Sequence, residues 1–421
     1  MAEIQFYNNE EDIIAIKEVK KGFVGNVILT GEKHQAQIDF DSISQKYKLK
    51  IRFCIDLDKD EDFFVFSTED LELKIEAIIT SNKNNINVFE NWSQYYSEGN
   101  IYSIQSKEFS AKEEAFYRSY YKIETVNFLK DFRSSVYKTN LFSSTGLLKL
   151  KINSDEIFLY PYHSDYLIIE SKSKINYEKF TSVAYNTLVA LGFISGKFIQ
   201  NEVYTFQYKD SSKKNRIGYE YKKLREESNS IYHAIVTNPF SYRFLIGDIY
   251  ADNLYKENTL KKIDTSSFSY LIQLINNNTQ IQYALVLFNE VNDNRLSLLV
   301  KNNGFYVVLE VFKKFFYDIF KTEINKDYSQ KGNVDKYRIV FEKIISLNEN
   351  DISVLKDRNK YLHGDIKELE GTEMIETMQK QLSLIYKILL KYIRMEVFVI
   401  DHYCLRNKKA EGFFISLNNK R

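Results

Sequence analysis

A chain of 421 residues, 44% hydrophobic and 27% charged, is long enough for two or three cores, and this balance excludes a disordered polymer. A formal net charge of +1 excludes a global pull on nucleic acid, so any anion-binding surface has to be local. Cys54 and Cys404 are the only cysteines, which excludes a disulfide framework. The opening Met1-Ala2-Glu3-Ile4-Gln5 lacks the layout of a signal peptide and no apolar run approaches about eighteen residues, so a soluble cytoplasmic protein without membrane contact is expected.

Period-two alternation predicts half-buried strands over 23–29, 36–40, 47–53 and 71–78, and the runs 147–152 and 166–170 extend the β character. A β-rich N-terminal domain over 1–172, sandwich-like or barrel-like, follows, with a helical insertion near 112–132. The period then changes. Apolar residues at 180, 183/184, 187/188 and 191 predict a helix that Gly192 is placed to stop. The polar, basic stretch 209–225 reads as a solvated loop ahead of a linker or phosphate-touching loop, and 173–264 as a whole reads as a helical and basic connecting region. From Ser266 onward the pattern is helical. Ile281, Ala284, Leu285 and Phe288 mark one face, Tyr306 to Phe316 belongs to a long helix, and Met374, Met378, Leu382, Ile385, Leu389 and Tyr392 recur at helical spacing behind Thr372 as N-cap. The expected fold class is α+β, with the β-rich domain followed by an all-α bundle over 265–421.

The chemistry concentrates in Asp357-Arg358-Asn359-Lys360-Tyr361-Leu362-His363-Gly364. Residues 351–363 read as a short helix entered from Asn350 or Asp351 and stopped by Gly364, with Ile352, Leu355, Asn359 and Leu362 on one face. His363 stands one turn after Asn359. Arg358 supplies a fixed cation, Asn359 an orienting amide and His363 a proton carrier near neutrality. Five residues of helix separate Arg358 from His363 by about 140° and roughly 7.5 Å of rise. One helix therefore splays them, and a second copy facing the first would bring both pairs together, which predicts a homodimer. Glu310, within Val308-Leu309-Glu310-Val311-Phe312, is a carboxylate among apolar neighbours and needs a cation, with Arg358 the candidate partner in a site or in a structural salt bridge.

The spacing from Arg358 to His363, with a polar residue after the arginine, resembles the R-x4-H signature of the HEPN superfamily of ribonucleases. The run Arg358-Asn359-x3-His363-Gly364 behind a β-rich domain is similar to the ApeA-like branch of anti-phage defence proteins, and the resemblance covers about residues 265–405. It implies a HEPN-like bundle, a site at a two-fold interface, and metal-independent cleavage of RNA by its own 2′-hydroxyl without a cofactor. In those terms Arg358 stabilises the transition state, His363 is base or acid, Asn359 orients His363 or donates to the phosphate, and Glu310 is the acidic residue that reaches the site from an earlier helix. The N-terminal domain would take a phage-derived or nucleotide trigger. Asp365 stands where some HEPN toxins carry a tyrosine open to adenylylation, so control by that route is not expected.

Other motifs compete with this reading. Asp165, Glu170 and Lys172 are a possible metal-dependent nuclease set, although the Asp-to-Glu spacing is short for that class. Gly192 to Lys197 lacks one residue between its glycines, and the serine or threonine after its lysine, to be a phosphate loop; no zinc spacing exists, and near Asp401 a nucleophilic pair of His402 and Cys404 is conceivable but unsupported. The main alternative is a non-catalytic HEPN module for dimerisation and RNA or nucleotide binding.

Overall fold

The computed structural model describes residues 4–416 apart from 30, 43, 53–62, 85–94, 123–126, 140–142, 164–165, 197–201, 225–252, 254–255, 258–260, 293–295, 325, 363–370, 401–402 and 404–413. After β1 (Ile4–Gln5) and α1 (Asn9–Lys21), the chain forms β2 (Phe23–Leu29), β3 (Glu32–Asp41), β4 (Lys46–Ile51), β5 (Phe63–Ser67), β6 (Glu72–Asn84) and β7 (Tyr95–Ser106). Sheet order β7-β4-β3-β2-β5-β6, with β6 paired back onto β7, closes a six-stranded antiparallel barrel. Closure removes the exposed edges that an open sheet of this length would carry. Alternate residues such as Val27, Ile38, Leu49 and Ile75 fill its interior, which is why period two was visible here in the sequence.

A broad sheet extends from the barrel through β8 (Phe116–Lys122), β9 (Ser135–Lys138), β10 (Ser143–Ile152), β11 (Asp155–Tyr162), β12 (Tyr166–Ser171), β13 (Glu202–Tyr208) and β14 (Arg216–Lys223), in the order β9-β10-β11-β12-β8-β13-β14 and then β7. Its inner strands β8, β12 and β13 are covered on both faces. Tyr117, Leu150, Leu159 and Ile169 face the helices, while Tyr120, Tyr160, Ile168 and Phe206 join the core shared with the barrel and α1. Two departures from the sequence reading have this cause. The region 112–132 holds β8 and a short 3-10 turn rather than a helix, because a strand buried on both faces loses its alternation. Strands β13 and β14 fall within 173–264, read as helical and basic, yet they occupy inner positions of the sheet.

Among the described residues the α-helices that follow are α2 (Tyr177–Ser195), α3 (Thr265–Asn277), α4 (Thr279–Val291), α5 (Leu298–Phe320), α6 (Asn333–Phe341), α7 (Glu349–Leu362) and α8 (Gly371–Tyr392). The region after residue 264 is mainly helical and packs on the sheet in one continuous core, but it is not all-α as expected: β15 (Phe398–Ile400) and β16 (Phe414–Ser416) pair antiparallel after the last long helix. Helix α2 starts at Asn176, whose side chain accepts from the backbone N–H groups of Glu178 and Lys179, a cap worth about 1 kcal/mol. Phe180, Val183, Ala184, Leu188 and Leu191 are all buried, and full burial of each large side chain contributes roughly 1.5–3 kcal/mol.

Gly192 does not stop this helix, which ends four residues later at Gly196 in the left-handed conformation, φ 77°. Its role is to let α4 approach, since a Cβ at Gly192 would lie 2.7 Å from Asn289 Nδ2. That amide already donates to the Val189 carbonyl at 3.1 Å, so it cannot move freely. Gly192→Ala is expected to destabilise the protein by about 1–3 kcal/mol through overpacking, read as a lowered urea midpoint. An unchanged midpoint would show that the crossing relaxes without cost.

Candidate functional site

Helix α7 is rotated into place by its first turn. Asn348 Oδ1 accepts from the Asp351 N–H at 2.9 Å, and the Asp351 carboxylate accepts from the Asn348 N–H at 3.0 Å, a reciprocal cap that moves the helix start ahead of Asn350. Asp351 is also buried against Lys387 of α8, whose Nζ donates at 3.0 Å. With this anchor the inward stripe is Asp351, Val354, Leu355 and Tyr361, and the Tyr306 hydroxyl of α5 donates to the Val354 carbonyl at 2.9 Å. Arg358 lies on that stripe. Asn359 is exposed at its edge, so the face drawn through Ile352, Leu355, Asn359 and Leu362 is offset from the observed one.

Arg358, with only 16% of its side chain exposed, points Nε to within 2.6 Å of Glu310 Oε1 on α5. The other carboxylate oxygen of Glu310 meets Lys313 Nζ at 2.5 Å, and that ammonium sits 4.3 Å from the centre of the Tyr337 ring of α6. Arg358 Nη1 donates to Asn359 Oδ1 at 2.9 Å. Three helices thus assemble two cations around one carboxylate, leaving a local surplus of positive charge. Burial alone would raise the Glu310 pKa, but Lys313, Tyr337 and Arg358 together hold it below the ordinary carboxylate value. Burial first, and then the Glu310 charge, push the Tyr337 phenol up, so it stays protonated.

Arg358, Asn359 and Glu310, all singled out in the sequence, stand together here. His363, Gly364 and Asp365 follow directly on α7 but lie outside the described residues. Lys313 and Tyr337 were not anticipated. Lys313 had a local signal, one turn after Glu310 on the same helix, whereas Tyr337 comes from another helix and had none.

A second concentration of charge lies on the barrel side of the broad sheet. Arg118 Nε is 2.6 Å from Glu170 Oε2, across the β8–β12 register pair, and its guanidinium is 3.0 Å from Asp12 of α1 and donates to the Tyr7 carbonyl at 2.8 Å. Tyr120 donates to Asp12 at 2.7 Å, Tyr208 also donates to Asp12, and Tyr160 donates to Glu170 at 2.8 Å. Lys213, from the β13–β14 turn, completes the set at 2.9 Å from the second Glu170 oxygen. The stretch read as a solvated loop therefore sends one lysine, 2% exposed and at φ 55°, into the interior. Glu170 is saturated by cations and Lys172 pairs with Glu156 at 2.8 Å, which leaves neither poised for the metal role considered from sequence; Asp165 is outside the described residues. No group of three or more His, Cys, Asp or Glu side chains suited to a metal ion occurs among the described residues. Among them no helix is long and apolar enough to cross a membrane.

Comparison with family models, curated proteins and solved structures finds no match to this chain.

Proposed function

We propose that this chain is a metal-independent endoribonuclease of the HEPN type, acting in anti-phage defence or a toxin-like stress response. The observation that carries the reading is the Arg358 guanidinium near the C-terminal end of α7, ion-paired through Nε with Glu310 and donating from Nη1 to Asn359. A planar fork held in this way suits a phosphate whose charge grows during reaction. The chain then runs straight into His363, one residue beyond the helix.

His363, neutral, takes the proton of a ribose 2′-hydroxyl. The freed oxygen attacks phosphorus, and the bond from phosphorus to the 5′-oxygen breaks. A protonated group, in a dimer the partner's own copy of the histidine, returns a proton to that oxygen. Arg358 stabilises the phosphate oxygens, and Asn359 orients the guanidinium or donates to the phosphate. Glu310 is a positioning residue that holds Arg358 and does not touch the RNA. The products are a 2′,3′-cyclic phosphate and a 5′-hydroxyl. DNA is refused because it lacks the nucleophile.

The test is cleavage of RNA by the full chain in excess EDTA. Cutting is expected to persist with those termini and to spare a 2′-deoxy analogue. Cleavage abolished by EDTA would overturn the mechanism. RNA retention without any cutting would leave the binding module, for which the Glu310–Arg358 pair is a structural brace.

A further inference from the structure

Away from both clusters, one end of the broad sheet gathers three lysines around a single acid. Glu202 of β13 is the register partner of Lys223 on β14, and one step beyond the Val203–Tyr121 pair it stands opposite Lys122 on β8. Directly opposed residues share a face of the sheet, so the row Lys122–Glu202–Lys223 points one way. Lys20, from the last turn of α1, reaches over it and pairs with Glu202 at 2.8 Å. That pair is internally neutral and nearly buried, at 19% and 2% exposure. Lys122 and Lys223 are left with a neutral partner: Lys122 Nζ donates to Gln45 Oε1 at 2.7 Å and Lys223 Nζ to the Gln45 carbonyl at 3.2 Å. Among the described residues neither has an acidic partner.

Both ammonium groups are thus tethered to one residue, in the turn between β3 and β4. Gln45 is held in the left-handed region, φ 50°, and its own amide is occupied by the Ser42 carbonyl at 2.6 Å. Each ammonium has three donors, of which Gln45 takes one. Four N–H groups on two adjacent, half-buried cations remain. Burial lowers the Lys20 pKa, Glu202 works against that, and the charges of Lys122 and Lys223 add smaller lowering effects. Such self-repulsion is relieved by a bound anion.

We propose that Lys122, Lys223 and Gln45 form an oxyanion site in the β-rich region that takes the phosphate of a small phosphorylated ligand. The site does not depend on the ribonuclease reading. A compact, multiply charged phosphate satisfies donors from both lysines through charge-assisted hydrogen bonds, which a chloride ion cannot bridge in the same way.

The experiment is calorimetric titration of the full chain with inorganic pyrophosphate, with ATP and with a 2′-deoxy oligonucleotide, all at one ionic strength set by chloride. Pyrophosphate and ATP are expected to bind, with affinity falling at least about tenfold in Lys122→Gln/Lys223→Gln, since each lost charged contact is of that order. Lys149→Gln/Lys151→Gln removes the same charge from the exposed side of β10 and is expected to bind as the unaltered chain does. Lys223→Gln alone, should the double variant not fold, is expected to lose several-fold. Equal losses in the two double variants, or no binding of either small phosphate, overturn the site. Binding of the oligonucleotide alone overturns its assignment to a small ligand.

Discussion

Alanine at Arg358 is expected to slow RNA cleavage by about 10²–10³-fold, the range for removing a preorganised donor from a developing oxyanion. The fold should tolerate the change, because Lys313 stays at 2.5 Å from Glu310 and continues to neutralise it. A melting temperature within a few degrees of the unaltered chain is the check. Lysine at the same position should recover little: a point charge cannot face Glu310 and Asn359 while also offering a flat pair of donors. His363→Ala removes the proton carrier and is expected to cost about 10²–10⁴-fold. Because Glu310 is held below its ordinary value, it remains ionised where a histidine titrates, so the pH dependence of cleavage should report His363 and survive Glu310→Gln in shape while falling in amplitude. Co-expression of Arg358→Ala with His363→Ala tests the shared site. Mixed dimers retain one intact arginine and one intact histidine across the interface, and partial recovery is expected; none would count against a composite site. Activity unaffected by Arg358→Ala would remove it from the mechanism and leave the cluster as a brace.

What was legible in the sequence follows from burial. Helix α4 and barrel strands β2, β3 and β4 each have one wet face, so Ile281 to Phe288 and Val27 to Leu49 display their period; α8 is buried almost all round from Met378 to Leu389, but its polar residues there, such as Gln379, Lys380, Gln381, Ser383 and Lys387, leave the apolar stripe visible. Strands β8 and β13 are buried on nearly every residue and show none. Helix α1 is hard to see in the sequence because its buried stripe is half polar, with Asn9 and Asp12 in line with Ile16 and Val19. At the candidate site Glu310 stood out because a lone carboxylate in an apolar run demands a cation, and that demand is local. Tyr337 and the Arg118 network were illegible for the opposite reason. Their partners are far apart in sequence, as Arg118 is from Asp12 and Glu170, and only the strand register and the placing of α1 bring them together.

That network carries the largest expected effect on stability. Arg118→Met removes the cation common to Asp12 and Glu170, both almost fully buried, and is expected to cost about 3–5 kcal/mol, since an uncompensated charge then remains inside. The two carboxylates should respond differently. Burial works against ionised Glu170, but Arg118 and Lys213 outweigh it and hold its pKa below the ordinary value. Its contribution is therefore present above the unfolded carboxylate pKa and is lost as pH falls through the lower folded one. For Asp12 burial outweighs Arg118, Tyr208 and Tyr120, and its pKa is raised. The folded state then holds that proton more tightly than the unfolded chain does, so ionising Asp12 costs stability above the raised value, and the cost is relieved as pH falls through it. Urea midpoints at pH 7 should accordingly fall much more for Glu170→Gln than for Asp12→Asn. Lowering the pH through the raised value should lift the unaltered chain relative to Asp12→Asn, whose side chain is neutral throughout. Equal losses for the two substitutions at pH 7 would mean that Arg118 serves both carboxylates alike. The unequal outcome would instead make Glu170 the partner that fixes Arg118 between β8 and β12, with Asp12 the weaker tie by which α1 is fastened to the sheet.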